Sequence, residues 1–451
     1  MSDQQPALSH LRLGPMVLHG ATVVLRPPRI ADYEPWRRIR LRDRSLIEPF
    51  WSSSPLDWSE RHTAKLWVRE CLAARAEART GRRAAMVIEM DGRFAGQIEL
   101  TSIDTDTGSA ELGVWVDAEV ARHGIGGLAT AMMLDFAFGS VGLQRITAPI
   151  SPANVATASG AARLGFQREA VMTRYFDAGG ARRDHELWAI TDAVIPPGGF
   201  AATWVRRYRA DHAAPVPQTA DRPGPPVPAR TVTAAAARYY AGRVLHSLDP
   251  LRAPRVTPLS DQDRPCVVLR TRRLTDGRQW RAARLRARAV LDPNTEAPQT
   301  EWAAVHSRAR WLRELLRARP GLRSAAGLVL VIEVGGAYVG ECRLFDLDMF
   351  DRNARMFVWT DPTLGGAGEG VRTAAIRLLV AYAFGTLGLC RIDTAIEPED
   401  REAAAVAARI GMVREGRMSR FVGATGRRAD HDLWAVTVPV DPRHDTASLR
   451  T

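Results

Sequence analysis

Over residues 110–116 the apolar Ala110, Leu112, Val114 and Val116 alternate with Glu111, Gly113 and Trp115. A period of two predicts a strand with the first set turned to a core and the second to the other face. After a loop containing Gly124, Gly126 and Gly127, the residues Ile125, Leu128, Met132 and Phe136 recur at helical spacing. The join is therefore strand, glycine-rich loop, helix. Upstream, the pattern predicts a strand over 23–26, a helix over 31–44 after Pro27 and Pro28, and a helix over 59–77. A β-hairpin is predicted over 84–89 and 94–100, turning at Asp91 and Gly92. Downstream come a strand over 146–150, a helix opening at Asn154, and strands over 167–176 and 185–190.

The same order then returns. A shift of 244 positions places 23–26 on 267–270, Trp36 on Trp280, Trp58 on Trp302, and 87–89 on 331–333, with Trp115 on Trp359 and Asp117 on Asp361. Two residues are inserted next, and a shift of 246 places 136–138 on 382–384, Gly165 on Gly411 and 185–188 on 431–434. The chain reads as a tandem duplication of one domain of about 175 residues. The domains are expected over 1–194 and 251–442. Between them, 195–250 reads as a linker, because 215–228 holds six prolines in fourteen residues, too many for a packed core. A helix is a candidate over 231–245.

Hydrophobic residues make up 46 % of the 451, enough to build cores. The formal charge of +12 comes almost wholly from arginine, since Lys65 is the single lysine. Those arginines are interleaved with acids in both halves, which argues against a dedicated nucleic-acid surface and leaves a basic field for phosphates or acidic partners. Cys71, Cys266, Cys342 and Cys390 show no metal-type spacing, so no metal is expected and the thiols point to a reducing cytoplasm. The longest apolar run, over 378–390, is too short to span a bilayer. The polar start M-S-D-Q-Q-P carries no signal-peptide pattern, so no membrane association is expected.

A strand, glycine loop and helix in series have a chemical use. The first amides of a helix lack intrahelical partners and lie at the positive end of its dipole, which suits a phosphate. Gly124, Gly126 and Gly127 would let a diphosphate approach those amides, with Arg122 adding a charge-assisted contact. The alternative is that the glycines only turn the chain tightly into the helix.

The order of elements resembles the GNAT acyl-CoA N-acyltransferases. Within that family the segments R-H-G-I-G-G (122–127), S-P-A-N-V-A-T with R-L-G-F (151–166) and R-R-D-H-E-L-W-A (182–189) are similar to the RimJ/RimL-like branch, which acetylates N-terminal amines of ribosomal proteins. The resemblance implies two tandem folds of the α/β (α+β) class, each a mixed central sheet flanked by helices and splayed between its fourth and fifth strands, here 110–116 and 146–150. It implies acetyl-CoA as acyl donor, with the pantetheine arm along the strand at Val116 and the diphosphate at Arg122, His123, Gly124, Ile125, Gly126 and Gly127. Asn154 would contact the arm or its sulfur. The family's loop opens with Gln or Arg, and Ala121 stands at that place, so one side-chain contact is missing.

Amide formation from a thioester needs a neutral amine, a polarised carbonyl and a proton for the departing thiolate. Glu111 is the candidate base, on the strand face of Gly113 and Trp115; a solvated carboxylate or an ion pair is the alternative. Asn154 also suits a helix cap. Thr157 matches the place where related enzymes carry a serine proposed to protonate the thiolate, although a threonine in a first turn often bonds only backbone. The family's frequent tyrosine acid is missing, with Gly160, Ala161 and Ala162 downstream. His185 recurs as His431 with Asp184 and Glu186 on the opposite face, which reads as structural. Trp51 and Trp58 line either an acceptor groove or a core.

In the second repeat Glu111 becomes Arg355, Gly126 becomes Arg372, Asn154 becomes Asp400 and Thr157 becomes Ala403. That copy is expected to be catalytically silent. The expected function is transfer of an acetyl or other acyl group to a primary amine at the first domain. A ribosomal or other protein N-terminus is the favoured acceptor, and a small-molecule amine the next. The rival is a non-catalytic acyl-CoA-binding scaffold; a basic nucleic-acid module would announce itself by steep salt dependence.

Overall fold

The computed structural model describes residues 8–178, 181–211, 225–247, 258–260, 267–291, 299–317, 327–423 and 426–438. Contacts divide them into two units, the first on 8–169 and 176–245, the second on 246–438 together with 170–175.

The first repeat carries strands β1 (Leu13–Leu18), β2 (Ala21–Arg26), β3 (Ala84–Met90), β4 (Arg93–Asp104), β5 (Ser109–Val116), β6 (Arg145–Ile150), β7 (Gln167–Ala178) and β8 (Ala181–Thr191), in the order β1-β2-β3-β4-β5-β6-β8-β7. Its helices are α1 (Tyr33–Arg42), α2 (Arg44–Ile47), α3 (Ala64–Arg79), α4 (Ile125–Gly139), α5 (Val155–Leu164) and α6 (Phe200–Asp211). The predicted helix over 31–44 is interrupted at Asp43, whose backbone leaves the helical region. The one over 59–77 opens as a 3-10 turn (Glu60–His62), after which Thr63 is extended and α3 begins. Strand β1 was not foreseen.

One pairing decides the architecture. Strands β5 and β6 run parallel and pair only at Ser109 with Arg145, Ala110 with Ile146 and Glu111 with Thr147. Beyond that point they part, although β5 continues to Val116 and β6 to Ile150. The sheet is mixed and splayed, and the ends of the parted strands lead directly into α4 and α5.

Alternation on β5 works as expected, with Ala110 and Leu112 buried in the core that α4 shares. Helix α4 buries Ile125, Leu128, Met132 and Phe136, and also Ala129, Ala131, Met133 and Leu134 on its other sides. Part of that second cover is α6, which corrects the reading of 195–250 as linker. Phe200, Ala201, Trp204, Val205 and Tyr208 fall on one helical face and join the same core. Asp135 of α4 caps α6, its two carboxylate oxygens accepting from Phe200 N (2.6 Å) and Ala201 N (2.9 Å). A further helix, α7, spans Ala229–Ser247. Most of the proline-rich stretch, 215–224, lies outside the described residues, as does Cys266.

The second unit repeats the order with β9 (Leu259–Ser260), β10 (Val267–Arg270), β11 (Leu328–Val334), β12 (Ala337–Asp348), β13 (Asn353–Thr360), β14 (Arg391–Ile396), β15 (Val413–Val422) and β16 (Arg428–Thr437). Its helices are α8 (Gly277–Arg286), α9 (Arg288–Leu291), α10 (Gln299–Val305), α11 (Arg308–Arg317), α12 (Ala367–Gly385) and α13 (Arg401–Arg409). Here β13 and β14 pair only at Asn353 with Arg391, Ala354 with Ile392 and Arg355 with Asp393 before they part. Polar anchors repeat too. The buried Arg26 forks onto Asp32 (2.8 and 2.9 Å) and Arg270 onto Asp276 at the same distances. Among the described residues no helix is long and apolar enough to cross a membrane, and no three potential metal ligands cluster.

Candidate active site

The loop after β5 is held at both ends. Asp117 N donates to Ala95 O (2.9 Å), and the Asp117 carboxylate takes the Arg42 guanidinium. Arg122 and Gly124 then adopt left-handed backbone angles (φ +67° and +77°), which a glycine tolerates without strain. Helix α4 begins at once, with Leu128 N on Gly124 O (2.9 Å) and no acid in its first turn. The amides of Ile125, Gly126 and Gly127 precede the first intrahelical bond and lie at the positive end of the helix.

The glycines do more than clear a path, which revises the expectation. A β-carbon on Gly127 would lie 2.0 Å from the Trp204 ring, one on Gly124 2.8 Å from Tyr208, and one on Gly126 2.9 Å from Val116 Cγ2. The space left by Gly124 and Gly127 is filled by α6, and Gly126 admits the side chain at the end of β5. Trp204 Nε1 donates to Gly124 O (3.0 Å) and the Tyr208 hydroxyl to Arg122 O. Both aromatics take carbonyl oxygens. Sequence reasoning missed them, although α4 gave a signal: a helix apolar on every side needs a second cover.

Glu111 stands at the last paired position, opposite Thr147, where the strands part. It is half-buried, on the face of Gly113 and Trp115. Gly113 lies beside Glu99, whose Cγ would be 3.6 Å from a β-carbon there, and Glu99 pairs with Arg83 (2.5 Å). Gln97 Oε1 accepts from Trp115 Nε1 (3.2 Å) and Trp36 Nε1 (3.1 Å), while its amide donates to Glu70 (2.9 Å). Burial pushes the Glu70 carboxyl above the usual carboxylate range. Arg40 completes this face, its guanidinium 3.8 Å over the Trp51 ring and 4.2 Å over Trp115. Trp58 is core, with Nε1 on Arg40 O (2.7 Å).

Asn154 and Thr157 lie just past β6. Asn154 is the N-cap of α5, and its side chain accepts from Thr157 N (3.3 Å). Val116, the loop 122–127, Asn154 and Thr157 thus gather at the carboxyl ends of two parallel strands that have separated. His185 is elsewhere and structural: buried, with Nδ1 3.2 Å from Arg183 O and its ring edge-on to Phe176.

The second unit closes the corresponding positions. Arg355, at the place of Glu111, pairs with Asp393 (2.7 Å) and Asp346 (3.6 Å). Phe357 replaces Gly113. Arg372, at the place of Gly126, reaches Glu402 of α13 (2.8 Å). The first turn of α12 carries Glu369, which pairs with Arg409. Asp400 caps α13 by accepting from Ala403 N (2.9 Å).

The acetyltransferase (GNAT) domain family matches the chain twice, over 22–167 and 267–413. "Probable N-acetyltransferase YjcK" of Bacillus subtilis (strain 168) is 24 % identical over 175 residues, which cover 39 % of this chain and 96 % of that protein. Among solved structures, Mycobacterium smegmatis RimJ in complex with CoA-disulfide is 38 % identical, covers 44 % of this chain and 95 % of that one, and has a TM-score of 0.43. Ribosomal-protein-S5-alanine acetyltransferase from Vibrio fischeri is 22 % identical, with coverage of 40 % and 98 % and a TM-score of 0.36. The two family matches fall on the two repeats and span more than half of the chain. The protein belongs to the GNAT acetyltransferases: it is an N-acetyltransferase of two tandem GNAT domains, with acetyl-CoA as its acyl donor.

Proposed function

We propose that the first unit performs the transfer and that its acceptor is a protein N-terminal amine. The observation that carries this reading is the parting of β5 and β6 at Glu111 and Thr147, lined in the first unit by groups that the second has replaced. Three segments that resemble the ribosomal-protein branch favour the N-terminal acceptor.

In this reading the amides of Ile125, Gly126 and Gly127 receive the coenzyme diphosphate, with Arg122 and His123 at its rim. The backbone edge of β5 up to Val116, released from β6, pairs with the pantetheine arm as an added strand would. Glu111 takes a proton from the acceptor ammonium, and the freed lone pair attacks the thioester carbon. Strand amides beside the gap stabilise the oxyanion. The C–S bond then breaks, and the second proton of the attacking nitrogen reaches the thiolate through the Thr157 hydroxyl, which regains from nitrogen the proton it gives to sulfur and is held in place by the Asn154 cap. No covalent enzyme intermediate forms.

The test is thiol release from acetyl-CoA with a panel of peptides bearing free N-termini. The double variant Gly126→Arg with Asn154→Ala should abolish release while the fold is retained. Full activity in that variant would place the chemistry elsewhere.

A further inference from the structure

Arg40 is the unused charge of the first unit. It is 3 % exposed, and its Nε and Nη1 have no hydrogen-bond partner in the structure. Stacking between Trp51 and Trp115 satisfies the two faces of the guanidinium and none of its N–H edges. A buried cation with idle donors is costly, because burial strips its hydration and no carboxylate bonds those donors. The surroundings do little to compensate. Glu70 and Glu99 attract the guanidinium from a distance, but Glu70 takes the Gln97 amide and Glu99 the Arg83 side chain, Gln97 is neutral, and Arg61 repels. Desolvation accordingly brings the Arg40 side chain down to about 9.

The second unit holds the control. Arg284 occupies the repeated position and lies near the rings of Trp280 (5.2 Å) and Trp359 (5.7 Å). Its Nη2 donates to Glu341 (2.8 Å), which stands where the first unit has Gln97 and is 0 % exposed. Arg272 binds the other oxygen of the same carboxylate (2.5 Å). One unit thus consumes its arginine in an internal ion pair. The other leaves it on the acceptor side of β5, between two indoles that are only half-buried.

We propose that Arg40 is a carboxylate receptor for the acceptor, so that the first unit prefers amines followed within about three residues by an acidic side chain. The proposal rests on the first unit being the catalytic one. Strand spacing sets the reach: Trp115 is two positions past Gly113 and four past Glu111, roughly 7 and 13 Å along β5. An extended peptide with its amine near Gly113 brings its third side chain to Arg40. A carboxylate there would meet the guanidinium as Glu341 meets Arg284.

The experiment uses the full-length protein with acetyl-CoA and two peptide amides, Ala-Glu-Glu and Ala-Gln-Gln, and reads the ratio of their kcat/KM values. Wild type should favour the acidic peptide by about tenfold or more, as expected for a charge-assisted pair. Gln97→Glu, which installs the internal partner of the second unit, should bring the ratio to about one without removing Arg40. Arg40→Met should do the same, and Arg40→Lys should keep part of the preference; coenzyme affinity of each variant checks its fold. A wild-type ratio near one, or an unchanged ratio in Gln97→Glu, overturns the proposal. If neither peptide is acetylated, the acceptor reading fails by itself. Calorimetric binding of the same two peptides in the presence of coenzyme A then decides on Arg40, by a preference that Gln97→Glu either abolishes or leaves.

Discussion

His62 shows how burial sets a protonation state in the first unit. Its ring is packed against Trp58 (4.4 Å) and Trp36 (5.0 Å), with Nδ1 2.5 Å from Trp58 O. Desolvation pushes it down from 6.5 to about 4. The unfolded chain therefore binds a proton that the native one refuses, so this contribution to stability is complete above 6.5 and is lost as the pH falls toward 4. Replacement by Gln should flatten the fall in Tm over that window relative to wild type, read by thermal melts at stepped pH. Glu111 carries a kinetic expectation instead: Glu111→Gln should lower kcat by about 10²- to 10⁴-fold, the usual worth of a general base, with Tm little changed. The strand position of Glu111 and the capping place of Asn154 are legible in the sequence because strand alternation and a capping position are local patterns. Arg40 and Gln97 were not, since their meaning depends on a helix and a strand that meet only in the fold.

Helix α6 was the least legible part of the first unit. The proline run after it drew the domain boundary too early, at 194, and hid an amphipathic turn pattern that starts at Phe200. The apolar surround of α4 is the local hint, and Asp135, its only acid, caps the next helix. Trp204→Ala should destabilise the first unit by about 3–5 kcal/mol, the range for deleting a buried large aromatic. It should also weaken coenzyme binding, because Gly124 loses the donor that fixes its carbonyl. Denaturant titration and calorimetric binding of coenzyme A separate the two effects. The central strand, loop and α4 were readable with near-correct bounds because their periodicities are strong and uninterrupted. Strand β1 was missed because Gly14 and Pro15 break its alternation, and its pairing with β2 is irregular between Leu13 and Met16.

Across the duplicated chain, packing residues and salt-bridge anchors recur while the polar groups at the parted strands diverge. Internal repetition made the tandem fold visible without a structure; the closure of the second unit needed one, because an ion pair cannot be seen in a substitution alone. Glu341 is fully buried between Arg272 and Arg284. Glu341→Gln should therefore leave two guanidiniums short of a counter-charge and cost the second unit about 3–5 kcal/mol. Acetyl transfer should persist, which a melt and a turnover assay on the same preparation would establish. Gln97 and Glu341 differ by one amide in place of one carboxylate, and the codons for glutamine and glutamate differ at a single base. A lone transversion is thus enough to pair off the buried guanidinium of one half or to release that of the other, so after the gene doubled a single nucleotide at this position separated the two partners.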